Sequence, residues 1–584
     1  MNKKEFTFVA LIILISVLIR FFGLNMHIYD DESMYASAIV NAGAFGFNPF
    51  YYTPILMQWL QLFFTSILGL KMWVLRLVPL IFGTFTMLLS YQLAKEKFGI
   101  KSAKITLVLL GFCFYPILTS LQLDPEGSLI TFFYLLAVYS FFKIEQTKKL
   151  KWKIICGLSL LLSLLSKNNA ILIFVILFIY LLVKEKINLI KVFKRLFIPF
   201  LIGIGGYSLF LYITYLINPK LIQFMFNHGS QFFNGLHLSS IALPILLFWG
   251  TPLLIGLTFL SIYYYKHLNK KESLIFYVWL SVVLGFYVFI IEWGDYSRYL
   301  SNLIPVMAIL SGTFLSKFKF KSKEIFYGFL LSIITLRVFF WLNQLPQKLV
   351  PRIFESYLAE IIKFNFNFMF SYTTSSGPTF GINFLIIFIS LIFSLIAIIS
   401  IITLRNKRLI KYCMVIFISI GFAFNIFLVS ELIFHPTSPD VGLVQSEMVN
   451  YFKENNLSFP MYSNDEGIMF DLNQFYIRDN NYLFSLSDDS TKINNSKFNL
   501  NPGYIKDNNQ VISLPDDSTE INDSKFDIIS NIHANSGTIL LLHWPPLSDD
   551  SPVWKIVTLC NLQKEFYSKN VLIGEIYICN IIKK

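Results

Sequence analysis

The run FTFVALIILISVLIRFFGL (Phe6–Leu24) is followed within a few residues by YDDESMYASAI (Tyr29–Ile39). An apolar stretch of that kind matches the roughly 17–25 residues a helix needs to cross the hydrocarbon of a bilayer. Asp30, Asp31 and Glu32 then put three consecutive carboxylates at its mouth. MNKKE precedes the run and no small-residue cleavage site follows it, so the segment reads as an uncleaved membrane helix.

The rest of the chain repeats the pattern. Of its 584 residues, 55% are hydrophobic and only 14% charged, whereas soluble domains carry about a quarter charged residues. The mean hydropathy is +0.61. Alternating ten-residue strands are absent, which favours a multi-pass helical bundle over a barrel. Spans are predicted near residues 5–24, 73–94, 104–121, 127–143, 152–166, 169–183, 196–216, 241–263, 273–291, 298–315, 325–342, 380–403 and 411–430. That makes about 13 transmembrane helices. Basic connections such as KEKFGIKSAK, KIEQTKKLKWK and KEKINLIKVFKR alternate with YDDE, LQLDPEG, LSKNN and EWGDYSR. The positive-inside rule then predicts a cytoplasmic N-terminus and a tail outside the plasma membrane.

The net charge of +13 divides at about Phe434. Residues 1–434 hold 37 Lys and Arg against 16 Asp and Glu; residues 435–584 hold 11 against 19. The excess of basic residues is scattered between apolar runs, which is topology and not a nucleic-acid footprint. Beyond residue 434, short apolar runs (FPMYS, GTILLLHW, KIVTLC, VLIGEIYIC) and an amphipathic VQSEMVNYFKENN predict a small extracytoplasmic α/β domain. Within it, SLSDDSTKINNSKFNL from Ser485 and SLPDDSTEINDSKFDI from Ser513 match at 11 of 16 positions. Two copies are too few for a solenoid and read as a duplicated surface hairpin. Cys113, Cys156 and Cys413 fall within spans as packing residues, whereas Cys560 and Cys579 lie where a disulfide is allowed. Two Gly- and Pro-interrupted segments, residues 41–71 and 343–378, read as amphipathic pieces lying in the outer interface.

This topology gathers scattered ions. Asp30, Asp31, Glu32, Asp124, Glu126, Glu292 and Asp295 all fall at outer ends of spans, with Lys167 and Arg298. A charge at bilayer depth costs about 2.5–3.5 kcal/mol on insertion scales, so such groups normally face a polar cavity and one another. Each also has a plainer reading. DDE can be a solvated helix mouth, LDPEG a turn with a cap, Lys167 a snorkelling side chain, and Arg298 a partner for Asp295 alone. Taken together they favour a site for a phosphate group and a proton acceptor.

YDDESMYASAI resembles the first-loop signature, an Asp-Glu pair then Tyr-Ala, of polyprenyl-phosphate-sugar glycosyltransferases with the GT-C fold. That group includes the protein O-mannosyltransferases and the aminoarabinose transferases of lipid A. YYTPILMQWLQLFF resembles the group's second interfacial segment, and VLRLVPLIFGTFTMLLSYQLAK its arginine-led second span. LQLDPEGSLITFFYLLAVYSFF is similar to the second-loop Asp and its helix, GLSLLLSLLSKNNAILIF to the Gly-Leu…Thr-Lys-Gly segment, and SRYLSNLIPVMAILSG to the Arg-Tyr…Pro helix. The six stretches follow in the group's order, and the match covers roughly residues 5–315. Two departures stand out. Met34 replaces an Arg of the aminoarabinose branch, and Thr53, Pro54 and Ile55 replace its Lys-Pro-Pro, which argues against that donor. EWGDYSRY resembles an oligosaccharyltransferase motif, but abuts a span where that motif belongs in a soluble domain, and is read as coincidence.

The resemblance implies transfer of a sugar from a polyprenyl-phosphate donor in the bilayer to a protein, lipid or glycan hydroxyl. Asp31 is then the general base, Glu32 orients it or shares the proton, and Asp124 completes the acceptor or metal side. Lys167, Arg298 and Arg76 are the cations for the lipid phosphate, with Asp30, Tyr35 and Tyr299 in support. Members of the wider fold differ in their need for a divalent metal, and no residue set here has metal-ligand spacing. Two other classes compete: a transporter or flippase, and a scaffolding membrane protein. A transporter would place its ions near the midplane and show inverted repeats; neither is visible in the sequence.

Overall fold

The computed structural model describes residues 2–26, 32, 35, 36, 39, 55–219, 222, 238–264, 270–289, 297–348, 350, 354–372, 380–435, 441–455, 461–463, 511–513, 537–542, 560–568 and 571–579. Among them, seven helices are long and apolar enough to cross a membrane: Met72–Phe98, Glu126–Thr147, Leu189–Ile217, Glu272–Phe289, Ser322–Asn343, Phe384–Thr403 and Lys407–Phe434. An eighth crossing is made if Pro244–Gly250 and Pro252–Tyr263, bent by 112° at Thr251, count as one.

These coincide with eight of the thirteen predicted spans. The others form helices too short, or too charged, to pass on length and composition. Lys3–Phe21 is a helix of 19 residues, but it carries Glu5 and a buried Arg20. The 104–121 span is interrupted: Ile100–Phe112 ends at Cys113, whose extended backbone starts a second helix, Phe114–Thr119. Such a break leaves carbonyls and an amide without helical partners. Arg20 answers from one side, donating through Nη1 to Gly111 O at 3.2 Å and through Nη2 to Leu110 O at 3.1 Å. Asn425 Oδ1 accepts from Phe114 N at 2.7 Å on the other. The break is built in.

Close approach of helices depends on small residues, as in membrane bundles generally. Gly312 on Ile304–Leu315 faces Ile100–Phe112 so closely that a Cβ there would lie 2.9 Å from Ser102 O and would also meet Thr106 Oγ1. Backbone cannot give way as a flexible side chain can. Gly312→Ala is therefore expected to cost about 1–3 kcal/mol, read as a lower thermal midpoint of the purified protein. An unchanged midpoint would show that the two helices can separate freely.

The outer face of the bundle is apolar, with Leu14, Phe193, Phe329 and Ile334 all more than half exposed. In water that would be a liability; against lipid tails it is the expected surface. The two interrupted segments differ from each other. The first contains the helix Ile55–Leu68. The second forms a short helix, Phe354–Ile362, and then β1 (Met369–Tyr372), antiparallel to β2 (Phe380–Asn383). Asn383 joins the pair to the bundle by donating to Leu342 O at 3.2 Å and capping Leu385 N at 3.0 Å.

After Phe434 come the helix Val441–Glu454 and β3 (Met461–Ser463), β4 (Val511–Ser513), β5 (Gly537–Leu542), β6 (Asn561–Ser568) and β7 (Val571–Cys579). They form one mixed sheet of order β4-β3-β5-β7-β6, with β3 parallel to β4 and β5, and β7 antiparallel to β5 and β6. β3, β5 and β7 fall on predicted apolar runs. β6 was not anticipated, because NLQKEFYS at the sheet edge is mostly polar. Cys560 is disulfide-bonded, whereas Cys113, Cys156 and Cys413 are free. Apart from Ser513, the duplicated 16-residue segments lie outside the described residues.

Candidate active site

LQLDPEG is where the predicted site becomes geometry. It links Phe114–Thr119 to a π-helical turn, Glu126–Ile130, that continues into Thr131–Thr147. The turn forms because Ile130 N bonds back to Pro125 O at 2.9 Å, a five-residue step. The Asp124 side chain fixes its start by accepting from Glu126 N at 2.7 Å. Both carboxylates are thereby held on one short piece of backbone and buried.

Two segments far away in sequence bring the cations. Lys167, at the extended break between Leu150–Ser166 and Asn168–Ile171, places Nζ 2.7 Å from Glu126 Oε1. Arg298, on the 3-10 turn Ser297–Leu303, places Nη1 3.4 Å from Asp124 Oδ2 and Nε 3.7 Å from Glu126 Oε2. The Lys167 contact is a tight charge-assisted bond and the Arg298 contacts are longer. Burial opposes the charge on Lys167, but the Glu126 carboxylate, then Tyr35 and Asp124, outweigh it and hold the ammonium above the ordinary lysine range.

Aromatic rings line the cations. Lys167 Nζ lies 5.1 Å and Arg298 Cζ 5.2 Å from the centre of the Tyr299 ring, and Tyr299 stacks on Tyr287 at 5.5 Å. Asn169 Nδ2 donates to Tyr287 OH at 2.7 Å and to Glu126 Oε1 at 3.1 Å. Tyr287 and Asn169 were not among the predicted residues. Tyr287 is hidden in an apolar run and gives no sequence signal, whereas Asn169 lies two residues from Lys167 at the same helix break.

A second ion pair joins the first loop to this assembly. Glu32 and Arg76 are fully buried and pair through both oxygens, Nη1 to Oε1 at 3.1 Å and Nη2 to Oε2 at 2.9 Å. Glu32 Oε1 also accepts from Leu123 N at 2.7 Å, next to Asp124. Arg76 donates to Met26 O at 3.1 Å and to Leu121 O. Of the predicted residues, the structure therefore brings Glu32, Arg76, Asp124, Lys167, Arg298 and Tyr299 into one connected region, with Tyr35 close enough to act on Lys167. Asp30, Asp31, Glu292 and Asp295 lie outside the described residues. Among the described residues, no three His, Cys, Asp or Glu side chains are grouped as metal ligands.

Residues 52–216, under a third of the chain, match the family model of the dolichyl-phosphate-mannose-protein mannosyltransferases. The structure is similar to the crystal structure of ArnT from Cupriavidus metallidurans in the apo state, over 99% of this chain and 98% of that one. The TM-score is 0.60 and the identity 14%. Against ArnT bound to undecaprenyl phosphate the TM-score is 0.59, again at 14% identity, over 98% of this chain and 97% of that one. The chain has the GT-C fold. No curated protein matches it in sequence. In this GT-C chain the mannosyltransferase match contains Arg76, Asp124, Glu126 and Lys167, and Arg298 arrives from beyond it. At 14% identity the likeness to ArnT establishes the GT-C fold alone.

Proposed function

We propose that the chain moves a sugar from a polyprenyl-phosphate donor to an acceptor hydroxyl at the extracytoplasmic edge of the plasma membrane. The observation that carries this reading is the meeting of Lys167 and Arg298 on Asp124 and Glu126, beside the Leu123 amide that holds first-loop Glu32. ArnT with undecaprenyl phosphate bound supports the donor class. On this reading residues 1–434 form the GT-C membrane domain, with about thirteen crossings and the N-terminus in the cytoplasm. Residues 435–584 form the extracytoplasmic α/β domain. The acceptor is a protein, lipid or glycan.

The chemistry follows from the charges. The bond between the sugar's anomeric carbon and the phosphate oxygen breaks, and its electron pair stays on phosphate, turning a diester into a monoester. Lys167 and Arg298, held ready by their carboxylates and by Tyr299, offset the charge that develops there. The acceptor oxygen bonds to the anomeric carbon and its proton goes to Asp31, a role that rests on the family resemblance. Glu32 and Arg76 act on this reading as a positioning pair, tying the first loop to the second.

The test uses the purified full-length protein in nanodiscs with a polyprenyl-phosphate sugar. Lys167→Gln removes one charged contact to phosphate, about 1.5–3 kcal/mol, so the donor KM is expected to rise roughly 10–100-fold. An unaltered donor KM in a folded variant would remove the lysine from the phosphate site and the main support of the proposal with it.

A further inference from the structure

In the chemistry just described Glu126 only helps to hold Lys167 and Arg298 in place, yet it sits where the phosphate's own partners are. Lys167 Nζ is 2.7 Å from its Oε1, and Arg298 Nε is 3.7 Å from its Oε2. One carboxylate therefore faces both cations that the lipid phosphate would use. Its Oε1 also accepts from Asn169 Nδ2, and Thr131 Oγ1 donates to its carbonyl at 2.8 Å, so the group is anchored. Among the described residues, Asp124, Tyr134 and Tyr287 are further titratable groups close to it. Glu126 is buried at 2% exposure, while the Lys167 side chain keeps 22%. The ammonium is therefore the more accessible of the two groups.

We propose that Glu126 is an internal counter-ion that discriminates between the singly charged donor and the doubly charged spent lipid, and so promotes product release. The proposal rests on the lipid-phosphate reading of Lys167 and Arg298. The donor is a phosphodiester with one negative charge. The product is a phosphate monoester carrying about −1.5 to −2 at neutral pH. Among the described residues Lys167 and Arg298 are already balanced by Glu126 and Asp124, so added negative charge meets a neutral group of four. Repulsion from a fixed carboxylate scales with the ligand's charge. The product feels it up to twice as strongly as the donor, in an environment where water screens little. Without that carboxylate the two cations would hold the monoester best of all, and each turnover would end in a trapped product.

The probes are undecaprenyl monophosphate and its monomethyl ester, a diester of the same lipid with one charge, bound to full-length protein in zwitterionic nanodiscs. Glu126→Gln keeps an oxygen for Lys167 and Asn169 but removes the charge. It is expected to tighten the methyl ester about threefold and the monophosphate about tenfold, the square following from the doubled charge. Equal tightening of both, no change, or weaker monophosphate binding would overturn the proposal. Lys167→Gln separates this proposal from the one beneath it. If that variant binds both lipids like wild type, the phosphate site itself is misassigned. If it weakens both while Glu126→Gln leaves their ratio alone, only the counter-ion role fails.

Discussion

Replacing Arg298 by lysine will lower kcat/KM for sugar transfer by about 10²–10³-fold, the cost of removing one preorganised donor from a developing anion. The substitution keeps the positive charge, so both Asp124 and Glu126 retain a cationic neighbour and the fold is expected to survive. What it loses is shape. The guanidinium presents separate nitrogens to separate partners: Nη1 toward Asp124 at 3.4 Å, Nε toward Glu126 at 3.7 Å and Nη2 toward Tyr299 OH at 3.4 Å. A planar fork of this kind can hold two phosphate oxygens at once, which an ammonium cannot. The arginine also lies over the Tyr299 ring at 5.2 Å, a contact that keeps the plane from rotating. Because the transferred charge accumulates only as the sugar–phosphate bond breaks, the loss belongs mainly in kcat. Single-turnover kinetics with the folded variant is the measurement. A variant that turns over within a few-fold of wild type would mean that Arg298 serves packing alone.

The membrane architecture was legible for a plain reason: lipid demands long unbroken apolar stretches, and a stretch of that kind can be counted in one dimension. Phe384–Thr403 and Lys407–Phe434 needed nothing more. The break at Cys113 was not legible, because what permits it comes from elsewhere. Arg20 and Asn425 satisfy the groups it exposes, from helices at opposite ends of the membrane domain's sequence. The bend at Thr251 is similar, since an apolar run containing Pro252 reads as one span until its partners are known.

At the site, residue type and predicted placement at span ends selected Asp124, Lys167 and Arg298, which lie together in the structure. Pairing was not available from sequence. Glu32, one of three adjacent acids, gave no sign in the sequence that it is fully buried against an arginine 44 positions away. Asn169 and Tyr287 were missed because a buried amide and a stacked phenol look like loop and core until the neighbouring carboxylate is located.

That ion pair carries the largest stability effect expected in the chain. Arg76→Met should destabilise the protein by about 3–5 kcal/mol, because it strands the Glu32 carboxylate in the interior. Both side chains have no exposure, so water cannot take the place of the lost partner. Arg76 also answers the carbonyls of Met26 and Leu121, and both would lose a donor. The double variant Arg76→Met, Glu32→Leu is expected to recover much of the loss, since an apolar pair in place of a buried ion pair is often neutral. Recovery of the fold should not bring recovery of activity. Glu32 binds Leu123 N, so the pair fixes the first loop against the backbone that carries Asp124, and leucine cannot accept that bond. Thermal midpoints and turnover of the three proteins separate the two roles. A double variant that is both stable and active would reduce the pair to a packing feature. A single variant with a wild-type midpoint would contradict the burial from which the argument starts.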